Sequence, residues 1–116
     1  MNNLDEREAV VKFILNGRSF DTTTSSEVAV SRGAYVPEQW DGEYPGAQQV
    51  RYERILFRTA KGALFVHDHE TVKYLKGKPV VSDEAREISP EEAMKWIEDQ
   101  GAAVIDASGL PLPDEA

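Results

Sequence analysis

One segment constrains the fold of this chain more than any other, because it holds two runs of β-forming residues around a compact turn. Residues 49–59 predict a long strand, and residues 63–67 predict its shorter partner. Between them, Ala60-Lys61-Gly62 places glycine where a tight turn favours a left-handed backbone. The segment therefore predicts an antiparallel hairpin.

A second hairpin signal lies nearer the start of the sequence. Asn16-Gly17 is the dipeptide that a type I′ turn favours, because both central residues need a positive φ. Strands are predicted over residues 9–15 and 18–20. A short helix is then predicted over residues 25–32, since Thr24 and Glu27 match a capping box and Gly33 follows as its end.

A further helix signal begins at Ser89. Ser89 suits the cap, Pro90 the first helical position and Glu92 the third, and Gly101 marks the end. Residues 68–88 fit either a helical turn at 70–75 or short strands at 79–81 and 86–88, and residues 102–105 fit a final strand. We therefore predict an α+β fold in a single domain over residues 1–108: a small antiparallel sheet of two hairpins plus two or so helices. Residues 109–116 are predicted to form a flexible acidic tail.

Composition removes several classes of function. The 116-residue chain has no cysteine, which excludes disulfides, thiolate metal sites and cysteine nucleophiles. The first eight residues are polar and acid-rich, unlike a signal peptide, and no apolar run reaches the length of a membrane span. We therefore expect a cytoplasmic protein.

The net charge of −8 is concentrated in the last third of the chain. Residues 83–116 hold ten acids and two bases, whereas residues 1–82 hold 11 of each. A negative field of this kind repels nucleic acid and favours a basic partner. A solvated surface that only keeps the protein soluble explains the same pattern.

A loop over residues 34–48 combines aromatic side chains with acids. Aromatic anchors in a stiff loop are typical of protein interfaces, and acids steer a basic partner. Alternatively, these aromatic side chains fold back and cover the hydrophobic core. Together with acids of the second predicted helix, the candidate partner-binding residues are Trp40, Asp41, Glu43, Tyr44, Glu91, Glu98 and Asp99.

The run from His67 to Glu70 is the most metal-like feature of the sequence. On a strand, His67 and His69 would point to the same side, and Glu70 would join them if the chain turned. Two imidazoles and a carboxylate can hold zinc with one open position. Polar residues at the exit of a strand explain the run equally well.

The central hairpin carries basic residues interleaved with aromatic ones. Such a pattern can bind single-stranded nucleic acid through stacking and phosphate contacts. Strand alternation, however, places these residues on two faces, and a solvated face with cross-strand ion pairs explains them too. The residues concerned are Arg51, Tyr52, Arg54, Phe57, Arg58 and Lys61.

No catalytic residue or cofactor is predicted. The sequence lacks the G-x-S-x-G elbow of serine hydrolases, a P-loop and a G-x-G-x-x-G motif. Its 21 acids single out no pair for acid–base catalysis.

Three segments together resemble a group of short bacterial and prophage proteins. Residues 16–22, 52–65 and 88–96 are similar to that group's N-G-x-x-Y/F-D-T start, E-x-L-Y/F-R-T-x-K-G-x-x-F hairpin and I-x-x-L/I-S/T-x-E-E-A-x-x-W helix. The resemblance covers residues 11–100 in outline. Its motifs are structural, so it implies no functional residue. The mobile-element setting of the group implies accessory roles such as countering host defence, as anti-CRISPR proteins do.

The leading hypothesis from the sequence is a non-catalytic acidic protein-binding module. It would be a phage-derived inhibitor that occupies the nucleic-acid channel of a bacterial defence complex of the CRISPR type, with its acids in place of phosphates. One alternative is a small metal-binding enzyme or sensor built on His67, His69 and Glu70. The other is a nucleic-acid-binding accessory protein that uses the basic hairpin.

Overall fold

A computed structural model describes residues 12–37 and 46–111, which form seven strands and one helix. The strands are β1 (Lys12–Leu15), β2 (Arg18–Asp21), β3 (Ser26–Tyr35), β4 (Ala47–Arg58), β5 (Leu64–Tyr74), β6 (Val80–Ile88) and β7 (Ala103–Val104), and the helix is α1 (Pro90–Gln100).

Five of the strands form one antiparallel sheet in the order β6-β5-β4-β3-β7. β1 and β2 pair only with each other and form a separate hairpin. Because successive side chains of a strand point to opposite faces, the sheet presents two surfaces. We call them the helix face and the hairpin face, after the element that packs on each.

Each face has its own buried core. On the helix face, Ala93 and Trp96 of α1 pack against sheet residues that include Leu56 and Val66. On the hairpin face, Phe20 of β2 packs against Phe65, and Phe65 stacks on Phe57 with ring centroids 5.1 Å apart. Each face of the sheet is therefore partly covered, one by α1 and the other by the β1–β2 hairpin.

The turn predicted at Asn16-Gly17 and the helix cap predicted at Ser89 are confirmed. Asn16 and Gly17 have φ values of 53° and 77°, as a type I′ turn requires. At the start of α1, the Glu92 backbone N–H donates to the Ser89 hydroxyl, and the Ser89 backbone N–H donates to the Glu92 carboxylate at 2.8 Å. This reciprocal pair is the capping box expected from the sequence.

The predicted α+β class is wrong, because the described residues form a mostly β protein with one helix. The segment predicted as a helix over residues 25–32 lies in β3, where Val28, Ala29 and Val30 are buried in the sheet. The capping box predicted at Thr24 and Glu27 is absent: Thr24 lies in a turn, where its backbone N–H donates to the Asp21 carbonyl at 3.3 Å, and Glu27 lies in β3. Asp21 accepts hydrogen bonds from the Thr23 backbone N–H at 2.8 Å and from the Ser25 hydroxyl at 2.7 Å.

The uncertain segment over residues 68–88 is also more extended than predicted. β5 continues to Tyr74, so residues 70–74 are strand rather than a helical turn. The two short strands expected at 79–81 and 86–88 are parts of the single nine-residue strand β6. Hydrogen bonding to β4 on one side and β6 on the other stabilises the extended conformation of β5. The local sequence does not predict this pairing.

The end of the described chain packs on the sheet. Leu110, within the predicted tail, contacts the helix-face core, whereas residues 112–116 lie outside the described residues. Arg58 donates to the Asp106 carboxylate at 2.8 Å. Hydrogen bonds from Ser108 and from Arg58 lower the pKa of Asp106 to about 2. In the described residues, no helix is long and apolar enough to cross a membrane.

Candidate metal site

Two histidines of β5 and one aspartate of β6 converge on the hairpin face. His67 Nε2 and His69 Nδ1 each lie 2.7 Å from the same atom, Asp83 Oδ1. The strand register explains this convergence, because Asp83 pairs directly with His69 and His67 lies two residues along the same face. One donor atom from each residue lies within 4.8 Å of the other two. We call these three residues the His-Asp cluster.

The cluster is largely shielded from solvent. The side chain of Asp83 is 11% exposed, that of His67 14% and that of His69 34%. Burial alone would raise the pKa of Asp83, but hydrogen bonds from His69 and His67 outweigh it and hold that pKa below its ordinary value. Asp83 is therefore held as a carboxylate that accepts a hydrogen bond from each imidazole.

This arrangement has the composition of a three-ligand metal site. Imidazole nitrogen and carboxylate oxygen both bind zinc at about 2.0–2.2 Å, and catalytic zinc sites combine three such ligands with an open position. A metal ion would replace the two protons that now lie between the imidazoles and Asp83. Tetrahedral ligands at these distances lie about 3.3 Å apart, so the nitrogen–oxygen distances of 2.7 Å would have to open by about 0.6 Å.

The third ligand differs from the one that the sequence suggested. β5 runs straight through Glu70, so Glu70 lies on the helix face, opposite to His67 and His69. Asp83 occupies the place that Glu70 was expected to fill. Finding Asp83 from sequence would have required the register of β5 with β6 across the turn at residues 75–79. Gly77 and Pro79 mark that turn, but they do not determine the register.

Beside the His-Asp cluster, the hairpin face opens into a depression of about 390 Å³, which we call the open groove. One row of paired residues across three strands lines this groove: His69 pairs with Glu53, and Glu53 pairs with Arg32. Arg51 lies in the adjacent row, opposite Thr71. Arg32 forms an ion pair with Glu53, whereas Arg51 donates to the neutral amide oxygen of Gln49 at 3.3 Å.

On its other side the cluster borders the aromatic core. The ring of Phe13, on β1, lies 5.0 Å from the imidazole of His67, centroid to centroid. The next row of the hairpin face holds Phe57 and Phe65, both buried. The His-Asp cluster therefore lies at the boundary between the half of this face that the hairpin covers and the half that is open.

The structure describes three of the seven predicted partner-binding residues. Glu91, Glu98 and Asp99 are exposed on α1, and Asp99 forms an ion pair of 3.6 Å with Lys95. Glu91 and Glu98 are seven residues apart and so lie on one stripe of the helix. The remaining four residues of that prediction, which lie in the loop, are outside the described residues: Trp40, Asp41, Glu43 and Tyr44.

The basic side chains of the central hairpin do not lie together on one surface. Arg54 faces α1, where it lies over the Tyr52 ring at 4.1 Å, donates to Gln100 at 2.8 Å and pairs with Asp68 at 3.4 Å. Arg58 pairs with Asp106, and Phe57 is buried in the core rather than available for stacking. Arg51 lies on the opposite face, and Lys61 is exposed in the turn.

Comparison with known proteins finds no matching family model, no matching curated protein and no matching solved structure. The resemblance to short bacterial and prophage proteins therefore stays a prediction. Function has to be argued from the geometry of the site.

Proposed function

We propose that this protein binds a divalent transition-metal ion at the His-Asp cluster, and that zinc is the ion that suits it best. The observation that carries the proposal is the convergence of three donor atoms from His67, His69 and Asp83 within 4.8 Å on two paired strands.

The chemistry of the donors supports a transition metal. Imidazole is a ligand for zinc, copper, iron and nickel, whereas calcium and magnesium prefer sites built from oxygen alone. Two imidazoles with one carboxylate match the ligand sets of catalytic zinc enzymes. This preference favours zinc over the alkaline-earth ions.

The scaffold supports the same proposal. β5 is paired along its length with β4 on one side and with β6 on the other, so the positions of its histidines are fixed from both sides. The small exposed fraction of Asp83 keeps bulk water away from the carboxylate. Exposure of His69 towards the open groove leaves access for a water molecule or a ligand at the remaining position of the ion.

Metal content tests the proposal directly. Protein purified without a histidine tag is analysed for bound metals, and the metal-free form is then titrated with zinc by calorimetry. The wild type should bind one equivalent. Asp83→Asn should weaken binding by about tenfold or more, because it removes a charged ligand.

Glu84→Gln is the matched control. It removes the same charge from the next residue of β6, whose exposed side chain lies on the helix face. Its zinc affinity should equal that of the wild type. Protein that is purified without metal and takes up no zinc at micromolar concentrations would exclude the proposal. Equal binding by Asp83→Asn and Glu84→Gln would place the ion elsewhere.

The acidic protein-binding module is retained as a second candidate, including its form as a cytoplasmic, phage-derived inhibitor of a defence complex. Support comes from α1, where Glu91 and Glu98 are exposed on one stripe while Ala93 and Trp96 anchor the opposite side. A rigid helix that presents acids to solvent suits a basic partner, because its side chains are already positioned before binding.

Charge reversal on this helix tests the second candidate. A Glu91→Lys, Glu98→Lys variant is compared with a Glu27→Lys, Glu84→Lys variant, which changes the net charge equally at exposed positions elsewhere. Each is used to capture partners from a bacterial lysate at low and at high salt. A partner held by the wild type and by the control variant, but lost by the α1 variant, would support the candidate. A partner retained by all three proteins would contradict it.

A further inference from the structure

We infer that the open groove binds a phosphate monoester, with one phosphate oxygen on the metal ion of the His-Asp cluster and another on Arg51. This inference rests on the proposed metal site and adds the chemical class of its ligand.

The charged residues that line the open groove favour an anionic ligand. In a chain with a net charge of −8, this depression is lined by two arginines and one glutamate. Arg32 is neutralised by its ion pair with Glu53. Arg51 contacts the neutral amide of Gln49 and has no carboxylate partner among the described residues. A negatively charged ligand in the open groove would meet this positive charge.

The metal ion completes this charge balance. A divalent ion held by one carboxylate and two neutral imidazoles leaves a charge of +1, and Arg51 raises the local total to +2. A phosphate monoester, which carries a charge between −1.5 and −2 at neutral pH, balances that total, whereas a carboxylate balances only half of it. The charges therefore favour a phosphate group.

The strand geometry places Arg51 within side-chain reach of His69, the cluster residue that lines the open groove. Arg51 is the diagonal neighbour of His69, since His69 pairs with Glu53 and Arg51 lies two residues along β4. Diagonal neighbours on a sheet have Cα atoms about 7–8 Å apart, which a long side chain can span. The planar guanidinium also matches the spacing of phosphate oxygens and can donate to two of them.

The groove has room for the rest of a small molecule. Its volume of about 390 Å³ falls in the range of small-ligand sites. Ala34 and Thr71 flank Arg51 in the same row of the sheet, so a compact organic group can lie beside the phosphate.

Visible spectroscopy of the cobalt-loaded protein tests this inference. Cobalt(II) takes the place of zinc, and its visible absorption bands change when a ligand enters its coordination sphere. Phenyl phosphate and benzoate are the probes, because they share a ring and differ in the anionic group. Phenyl phosphate should change the bands, and benzoate should bind more weakly. Arg51→Gln should weaken phenyl phosphate binding by about tenfold or more.

Arg86→Gln is the matched control, since it removes the same charge from an exposed arginine on the helix face of β6. Its affinity for phenyl phosphate should equal that of the wild type. Cobalt binding with no response to phenyl phosphate would overturn this inference and leave the metal site standing. Failure to bind cobalt and zinc would overturn both.

Three further results would refute the inference alone. Equal phenyl phosphate binding by the metal-free and cobalt-loaded proteins would show that the ion is not a ligand of the phosphate. Equal binding by Arg51→Gln and the wild type would remove Arg51 from the site. Tighter binding of benzoate than of phenyl phosphate would contradict the charge balance.

Discussion

Replacing Asp83 by asparagine should destabilise the metal-free protein in a manner that depends on pH. The carboxylate accepts two hydrogen bonds of 2.7 Å, one from each histidine of the cluster. Asparagine has nearly the same shape and keeps an acceptor oxygen, but it carries no charge. The substitution therefore isolates what the charge of Asp83 contributes to folding.

The magnitude follows from the two hydrogen bonds. A hydrogen bond to a charged group contributes about 1.5–3 kcal/mol, and a bond between neutral groups about 0.5–1.5 kcal/mol. The loss is therefore about 1 kcal/mol for each bond, reduced at His69 because its side chain is 34% exposed. We expect Asp83→Asn to lower the free energy of unfolding by about 1–2 kcal/mol at pH 7.

The pH dependence has a definite sign. The folded state holds the pKa of Asp83 below its ordinary value of 3.8. A lowered carboxyl pKa stabilises the fold at every pH above the unfolded value, and this contribution is lost as the pH falls through the folded value. The contribution of the Asp83 charge should therefore shrink as the pH falls below about 4.

Urea unfolding followed by tryptophan fluorescence measures this difference at pH 7, 5, 4 and 3. At pH 7 the midpoint should fall by about 0.5–1 M for a chain of this size. Glu84→Gln controls for the loss of one negative charge and should unfold like the wild type. A difference that persists unchanged at pH 3, or no difference at pH 7, would refute the role assigned to Asp83.

Four other outcomes are expected. Zinc at 100 times its dissociation constant should stabilise the wild type by about 2.7 kcal/mol, and calorimetric scans with Asp83→Asn should show a smaller gain. Ser89→Ala should cost about 1 kcal/mol in urea unfolding, because it removes the cap of α1. Phe65→Ala should cost about 3–5 kcal/mol in the same assay, since Phe65 is fully buried between Phe20 and Phe57. Phe13→Ala should weaken zinc binding severalfold in calorimetry, because it admits water to His67. Ile14→Ala, at the exposed neighbouring position, should leave zinc binding unchanged in the same assay.

Elements that depend on neighbouring residues were predictable from the sequence. The turn at Asn16-Gly17 needs only two residues that tolerate a positive φ, and the structure has both. The cap of α1 needs only Ser89 and Glu92, three residues apart. In both cases the interaction that decides the structure lies within the segment itself, so a single sequence carries the whole signal.

Elements that depend on distant partners were not predictable in the same way. Residues 25–32 carry a valid capping pattern, but Val28 and Val30 gain more from burial in the sheet than a short helix could offer them. The helix start predicted at Thr24 is replaced by a turn, in which the Thr24 backbone N–H donates to the Asp21 carbonyl at 3.3 Å. The competition is decided by pairing with β4, which lies about 25 residues away.

The candidate site shows the same division. His67 and His69 could be placed on one face from their spacing alone. Asp83 could not, because a shift of one residue in the pairing of β5 with β6 would send it to the opposite face. The sequence therefore contains two candidate ligands in a recognisable pattern and a third whose position only the register determines.

The metal-free and metal-bound forms of the cluster use the same atoms in mutually exclusive ways. In the metal-free form, His67 Nε2 and His69 Nδ1 carry the protons that they donate to Asp83. A metal ion needs the lone pairs of those two nitrogens, so each proton must move to the other ring nitrogen or leave. The buried cores on the two faces of the sheet consist of apolar residues and do not include His67, His69 or Asp83.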